Sequence, residues 1–487
     1  MKSEKWCCAA TGIGGVLFII GLSVALYSSQ FTSNLYHEQM QLKESSTAYN
    51  LWIHTPIPLY FEAYLFNWTN AKEFMKNKSV VPHFEEVGPF VFKEVHDRVN
   101  LTWNDNKTLA YNQVRKWEFV PEKSVNLSVK VTNLNVIAAT IARFLKVFPK
   151  RLKPIINFEL NLLEDFVVTS PANNWLFEGM DDRLLTYLSI IAKILHLQKN
   201  PFPERFGWFY KRNMSATYDG RFLVETGADD IYNVGIMDRW NGVAKTKYYD
   251  GECGMVNGTS GELFPPMKTA EDDIDIFVSD ICSSIKLYRT GSSEVKGIKS
   301  YTYTGDKGTL DNGQLFSRNK CFCGEECAPT GARDASRCRV APLLFSFPHF
   351  YLADDSYRKS ISGMNPNKTE HEFFIELDPV TGIPTNIKAQ FQVNTLIEPI
   401  SWLSMFKDLP KLYIPMFWFR ERATITTDLA FKVLLIQKMP SIISGLCYGL
   451  AALGLILAFV AAFMFYRKRN KSTNEELLIP AGTDVGE

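Results

Sequence analysis

Four groups of residues in this chain have types and spacing suited to chemistry. The first is thiols. Six of the nine cysteines lie between Cys253 and Cys338. An even, clustered set in an oxidising compartment reads as three disulfides, with the connectivity open to sequence alone. A metal site would use Cys321-x-Cys323-x3-Cys327-x10-Cys338, but this lacks the paired knuckles of structural zinc. The second group is cationic: Arg143, Lys146, Lys150, Arg151 and Lys153 crowd around one bend. Such a patch steers anionic ligands toward itself, or is simply a solvated face that keeps an apolar bundle soluble. The third is eight Asn-x-Ser/Thr acceptors for N-linked sugar, headed by Asn67, Asn77, Asn100, Asn106, Asn126, Asn213, Asn257 and Asn367. The fourth is the pair Cys7 and Cys8, either an acylation site or inert juxtamembrane thiols. His196, at the end of a helical stripe, could sense acidity or merely suit the negative end of the helix dipole.

Catalytic constellations are missing. Gly258-Thr259-Ser260-Gly261 lacks nucleophile-elbow spacing, and His371-Glu372 has no second histidine four residues on. No glycine-rich phosphate loop occurs. The reading is therefore a non-enzyme with no cofactor and no metal.

The elements that must position these groups are set by hydropathy. Ala9–Tyr27 is a run of 19 residues without charge and Met439–Tyr466 a run of 28. A bilayer core needs about 20 apolar residues in a helix, so both qualify. The first run is longer than a signal-peptide core and reads as an uncleaved anchor, although Ser28-Ser29 keeps cleavage open. Lys2 and Lys5 precede the first run, and Arg467-Lys468-Arg469-Asn470-Lys471 follows the second. Basic flanks stay cytoplasmic. The expected organisation is a cytoplasmic tail 1–8, a span 9–27, an extracellular or luminal portion 28–439, a span 440–466 and a cytoplasmic tail 467–487. These eight sequons and the clustered cysteines fall in the portion placed outside; a ninth triplet, at Asn470, lies in the tail and is expected to stay bare. Neither span carries an ionisable residue, which argues against an ion path. Gly445, Gly449, Gly454, Ala458 and Ala462 form a small-residue face. It suits packing on Gly14 or Gly21 of the first span, or self-association into a homo-oligomer. The net charge of +1 excludes a protein that works by neutralising nucleic-acid phosphates.

Within the outer portion, residues 50–120 alternate short aromatic and β-branched runs with Gly, Pro and Asn, the signature of antiparallel strands. Residues 133–196 change period. Leu134, Ile137, Ala138, Ile141, Leu145 and Phe148 form one helical stripe. Leu152, Ile155, Ile156, Leu160 and Leu163 form a second, and Leu184, Leu188, Ile191 and Leu195 a third, opened by Asp181-Asp182. The opposite faces are also apolar, through Val136, Phe144 and Val147 on the first and Tyr187, Ile190 and Ile194 on the third. Helices apolar on both faces are deeply buried or offer a greasy surface to a ligand. From about 206 to 430 the strand pattern returns, with Trp240-Asn241-Gly242, Val256-Asn257-Gly258 and Asp311-Asn312-Gly313 as tight-turn signals. One large α+β unit with a helical insert is expected.

An ordered set of stretches then carries a resemblance. It comprises Ile57-Pro58-Leu59-Tyr60, Phe66-Asn67-Trp68-Thr69-Asn70, Glu86-Val87-Gly88-Pro89-Phe90, Phe206-Gly207-Trp208-Phe209, Thr226-Gly227-Ala228-Asp229-Asp230, Phe264-Pro265-Pro266 and Ser346-Phe347-Pro348-His349-Phe350-Tyr351-Leu352-Ala353-Asp354. With a span at each end, the chain resembles the class B scavenger receptor family, which includes fatty acid translocase, the high-density-lipoprotein receptor and the lysosomal integral membrane proteins. The resemblance implies an antiparallel β-barrel core, residues 133–196 as a helical-bundle cap, and an internal apolar tunnel. A fatty chain entering such a tunnel gains about 0.8 kcal/mol per buried methylene. The resemblance also implies the pairs Cys253–Cys321, Cys282–Cys338 and Cys323–Cys327. One departure stands out: where the family's ligand-linked cap lysines lie, this chain has Glu159, Glu164 and Asp165.

The function implied is a plasma-membrane receptor that binds lipids (fatty acids, phospholipids, sterols or carotenoids), lipoprotein or other anionic particles, and moves lipid toward the bilayer. The alternative is a sorting receptor of lysosomal or endosomal membranes for a soluble protein. Glu475-Glu476-Leu477-Leu478 resembles an acidic dileucine signal, with Thr473 where the acidic residue usually stands.

Overall fold

The computed structural model describes residues 2–145, 153–186, 204–267, 269, 271–324, 326–339 and 341–476. Two compact units emerge, one made of both terminal segments and one of residues 40–430.

The terminal unit holds two long helices, Lys2–Met40 and Thr427–Glu476. Each contains a stretch long and apolar enough to cross a membrane. Their backbones touch where side chains are absent or small. A Cβ added to Gly14 would lie 2.6 Å from the Ala458 nitrogen, and one added to Gly21 2.7 Å from the Ala451 nitrogen. Gly454 answers from the other side, its missing Cβ falling 2.6 Å from the Phe18 nitrogen. Gly445 and Gly449 face open space. The small-residue face thus divides: Gly454 and Ala458 pack on the first helix, while Gly445 and Gly449 do not and Ala462 is exposed.

The larger unit is built on β1 (Leu59–Trp68), β2 (Phe84–Trp103), β3 (Thr108–Phe119), β4 (Lys130–Leu134), β5 (Val167–Pro171), β6 (Arg221–Glu225), β7 (Met237–Trp240), β8 (Ile274–Val278), β9 (Ser283–Val295), β10 (Ile298–Thr304), β11 (Ala332–Asp334), β12 (Leu343–Ser346), β13 (Phe374–Leu377), β14 (Pro384–Ile397) and β15 (Leu412–Thr424). All named pairs are antiparallel. The main sheet runs β7-β6-β3-β2-β1-β15-β14-β13-β10-β9-β8, and β12 takes the part of β14 that β13 leaves free. Its outermost strands are joined through one residue. Thr259 bridges Ile236 just before β7 and Ile276 within β8, which almost closes the sheet into a barrel. Closure removes the unpaired edges that a sheet otherwise exposes.

β14 and β15 are covered on both faces. Ile387, Ala389 and Phe391 point one way along β14. Between them Lys388, Gln390 and Gln392 reach out to bond the backbone of Thr369, Glu370, Glu372 and His349. This is why polar residues in a central strand are buried: each satisfies a loop that would otherwise have orphaned groups.

The insert partly departs from an all-helical reading. Helices occur at Val136–Leu145 and Lys153–Leu163, and a third begins after Asp182. Between them Val167–Pro171 pairs with Lys130–Leu134. Leu134, read as part of the first stripe, closes β4 instead. The β-branched run Val167-Val168-Thr169 favours a strand over helical continuation.

Candidate functional site in the barrel interior

Alternate residues of the barrel strands point inward, as the two-residue period requires. Phe373, Phe391 and Phe419 form an aromatic wall, with ring centroids 5.6 Å apart for Phe373–Phe391 and 6.4 Å for Phe391–Phe419. The aromatic contacts continue through Phe61, Phe209 and Phe177 to Phe92 at 4.8–5.6 Å. Beside the first wall lies a cavity of about 130 Å³, which also touches Ile276, Ile387 and Ala389. Ile387, Ala389 and Phe419 keep part of their surface accessible in mid-strand. A cavity of this order has room for a six-carbon ring.

Another part of the lining is charged. On β2, Glu94, His96 and Arg98 occupy alternate inward positions, all buried. The two ring nitrogens of His96 lie 2.6 Å from Glu94 and 2.8 Å from Glu262. Arg98 pairs with Glu262 and donates to the Trp52 carbonyl. Arg115 reaches Glu421 at 2.7 Å, Asp219 at 3.0 Å and Glu94 at 3.2 Å. Arg212 bonds Asp219 at 2.6 Å and Asp280 at 3.1 Å, and Arg339 also reaches Asp280. Burial alone would raise the Glu94 carboxyl, but His96 and then Arg115 outweigh it and hold it down to about 2. Asp280 is likewise held low, Arg212 and Arg339 overcoming its burial. Glu421 goes the other way: burial and the neighbouring Glu94 raise it. The cavity is therefore amphipathic, able to take an apolar chain along one wall while the other stays internally compensated.

The helices of the insert, which the resemblance reads as a cap, are tied together at one joint. Asn135 Oδ1 accepts from the Ile137 and Ala138 amides and so starts the first cap helix. Its Nδ2 donates to Glu164 at 2.5 Å, just past the second helix. Glu164 also accepts from the Leu184 amide, and Asp182 from the Leu185 amide, in the first turn of the third. Burial and the adjacent Asp182 raise Glu164 to about 7. On the second cap helix Phe158 and Leu162, one turn apart, are 65% and 61% exposed.

The model of the CD36 family matches residues 12–465. The chain belongs to the CD36 family. Protein peste of Drosophila melanogaster is 33% identical over 88% of this chain and 76% of its own length. Scavenger receptor class B member 1 of Sus scrofa is 28% identical over 95% and 90%. Lysosome membrane protein 2 of Mus musculus is 28% identical over 92% and 92%.

Against this CD36-family frame the residues singled out in the sequence fall as follows. The structure joins Cys253 to Cys321, Cys282 to Cys338 and Cys323 to Cys327, the pairs that the resemblance implies. Of the basic cluster, Arg143 is exposed and Lys153 lies over the Trp402 ring at 5.0 Å. Lys146, Lys150 and Arg151 lie outside the described residues, as do Val147, Tyr187, Ile190, Ile194 and His196. Val136, the first residue of the first cap helix, is buried in the core. The backbone of Phe144 lies in the last turn of the first cap helix, which ends at Leu145. Seven of the eight sequon asparagines are exposed, and Asn67 is half-buried. Cys7 and Cys8 lie on the first long helix. Sequence reading missed the charged wall. Its signal was the alternation Glu94, His96, Arg98 inside an otherwise apolar strand pattern.

Proposed function

We propose that this CD36-family chain is a two-span receptor that takes lipid from a lipoprotein or other anionic particle at the cap and passes it into the barrel interior. Arg143 and Lys153, with Lys146, Lys150 and Arg151 beside them in sequence, steer the anionic particle. The exposed Phe158 and Leu162 offer the acyl chain its first apolar contact. The observation that carries the reading is the aromatic-walled cavity inside the barrel, which leaves Phe419, Ala389 and Ile387 accessible. Both tails are cytoplasmic, residues 28–439 face outward from the plasma membrane and carry the sugars, and Cys7 and Cys8 accept acyl chains. The open Gly445 and Gly449 face provides for self-association.

The test is uptake of a fluorescent long-chain fatty acid by cells expressing the full chain. Ala389→Trp, which fills the cavity, is expected to bring uptake toward the untransfected background at equal surface amount, while binding of anionic particles persists. Unchanged uptake would overturn the tunnel reading.

A second reading is favoured by Glu475-Glu476-Leu477-Leu478 in the tail and by a relative named as a lysosomal membrane protein. It is a sorting receptor whose cap holds a soluble protein in transit to lysosomes. Surface labelling separates the two: a protein retained in lysosomes supports sorting, one held at the cell surface supports uptake.

A further inference from the structure

Four described arginines are less than a tenth exposed: Arg98, Arg212, Arg333 and Arg420. Three of them meet a carboxylate, Arg98 at Glu262, Arg212 at Asp219 and Arg420 at Glu62. Arg333, 2% exposed on β11, has no carboxylate within 4 Å among the described residues. Its Nη1 donates to Ser283 Oγ and its Nη2 to the Thr309 carbonyl, both at 3.1 Å, and its Nε finds no partner. The nearest acid in the sense of charge, Asp311, spends its oxygens on the amides of Gln314, Leu315 and Phe316 and on Thr330. A buried guanidinium with no carboxylate in contact, only the longer-range charge of Asp311, is unusual, because leaving water costs it far more than neutral hydrogen bonds return.

Arg333 lines a cavity of about 260 Å³ outside the barrel interior. Arg318 lines the same cavity from its exposed rim, and it too has no described carboxylate within 4 Å. Lys286 is a third cation there, already engaged by Asp275 at 3.1 Å. Glu252, exposed at the rim, is the remaining acid of the lining. The walls are fixed: Phe322 stacks on the Arg333 guanidinium, and the Cys253–Cys321 disulfide ties the two sides together. A planar fork held flat by a ring is suited to bidentate contact with an oxyanion.

We propose that this cavity is an anion site for a phosphate-type oxyanion, with Arg333 as its buried anchor and Arg318 as its rim contact. The oxyanion is free phosphate or the phosphate of a lipid headgroup, and the volume leaves room for a small body beyond the oxyanion itself. The site is separate from the barrel cavity and stands or falls alone.

The test uses the full chain in nanodiscs of neutral lipid. Inorganic phosphate, titrated against chloride at constant ionic strength, is expected to raise the melting temperature saturably. In Arg318→Gln, a rim change that leaves the buried network untouched, the half-saturating concentration is expected to rise about tenfold, the loss of one charge-assisted hydrogen bond. In Arg333→Met the phosphate effect is expected to vanish. A second arm replaces some of the neutral lipid by phosphatidic acid. Stabilisation that phosphatidic acid gives to the parent chain and Arg318→Gln removes identifies the headgroup, whereas a response to phosphate alone identifies the free ion. A parent chain that responds to neither, or a response undiminished in Arg318→Gln, overturns the proposal even if Arg333→Met fails to fold.

Discussion

Arg115 is the residue on which the charged wall turns. It joins Glu94, Glu421 and Asp219, carboxylates from three separate segments. Removing a partner from a buried ion cluster costs more than the cluster itself contributes, because the surviving charges stay desolvated. Arg115→Met is therefore expected to destabilise the fold by about 3–5 kcal/mol, read as a lower denaturation midpoint in micelles. Equal midpoints would show that the acids neutralise themselves. His371 gives a second handle. Burial, and then the stacked His349 ring 4.5 Å away, lower it to about 4. The folded form thus keeps His371 neutral where the unfolded chain takes up a proton. Its contribution to stability is present above the ordinary histidine range and is lost as pH falls from about 6.5 toward 4. His371→Gln should flatten that acid limb in a pH series of melting curves.

At the scale of elements, the cap joint is a device whose strength runs the opposite way with pH. Glu164 bridges Asn135 at the start of the first cap helix and the Leu184 amide in the third, with Asp182 alongside. Because Glu164 is raised to about 7, the folded joint holds a proton that the unfolded chain releases near the ordinary carboxylate range. Its contribution is full below about 4.5 and is lost as pH rises through 7, where two carboxylates repel each other. Hydrogen exchange at the Leu184 and Leu185 amides, corrected for intrinsic rate, should accelerate between pH 5.5 and 8, and Glu164→Gln should abolish the change. An exchange rate indifferent to pH in the parent chain would remove the joint as a titrating element. The stripes at Ile137, Ala138 and Ile141 and at Leu160 and Leu163 made the helices of this cap legible, because amphipathic periodicity is local. The joint was not: Asn135, Glu164 and Asp182 are separated along the chain, and Glu164 read only as a missing lysine. The β4–β5 pair was hidden for the same reason, since pairing partners lie in different parts of the sequence. Trp240-Asn241-Gly242 behaves as its residues demand, with Asn241 at φ 51° and Gly242 at φ 82° in a two-residue turn.

For the whole molecule, what matters is that the barrel is nearly closed, since an open edge would expose both the aromatic column and the charged wall to water. Closure depends on Thr259 slipping between the ends of the sheet, its amide donating to the Asp275 carbonyl while its carbonyl accepts from the Phe277 amide. Gly258 makes that approach possible. It sits at φ 79°, and a Cβ there would fall 2.0 Å from the Asp275 oxygen. Val256-Asn257-Gly258 was legible as a turn, but that this turn closes a barrel depends on β7 and β8 meeting in space, which no local pattern records. Gly258→Ala meets both a left-handed backbone penalty of about 1–2 kcal/mol and a clash with backbone that cannot rotate away. It should lower the denaturation midpoint and speed exchange at the Thr259 and Phe277 amides, while exchange in β14 and β15, on the far side of the sheet, changes least. Lipid uptake should fall even where the protein still reaches the membrane, since a leaking seam admits water to the cavity beside Phe419. Normal exchange at Thr259 in Gly258→Ala would show that the seam is held by something other than this glycine. Normal uptake with an opened seam would show that the interior of the barrel is not the route lipid takes.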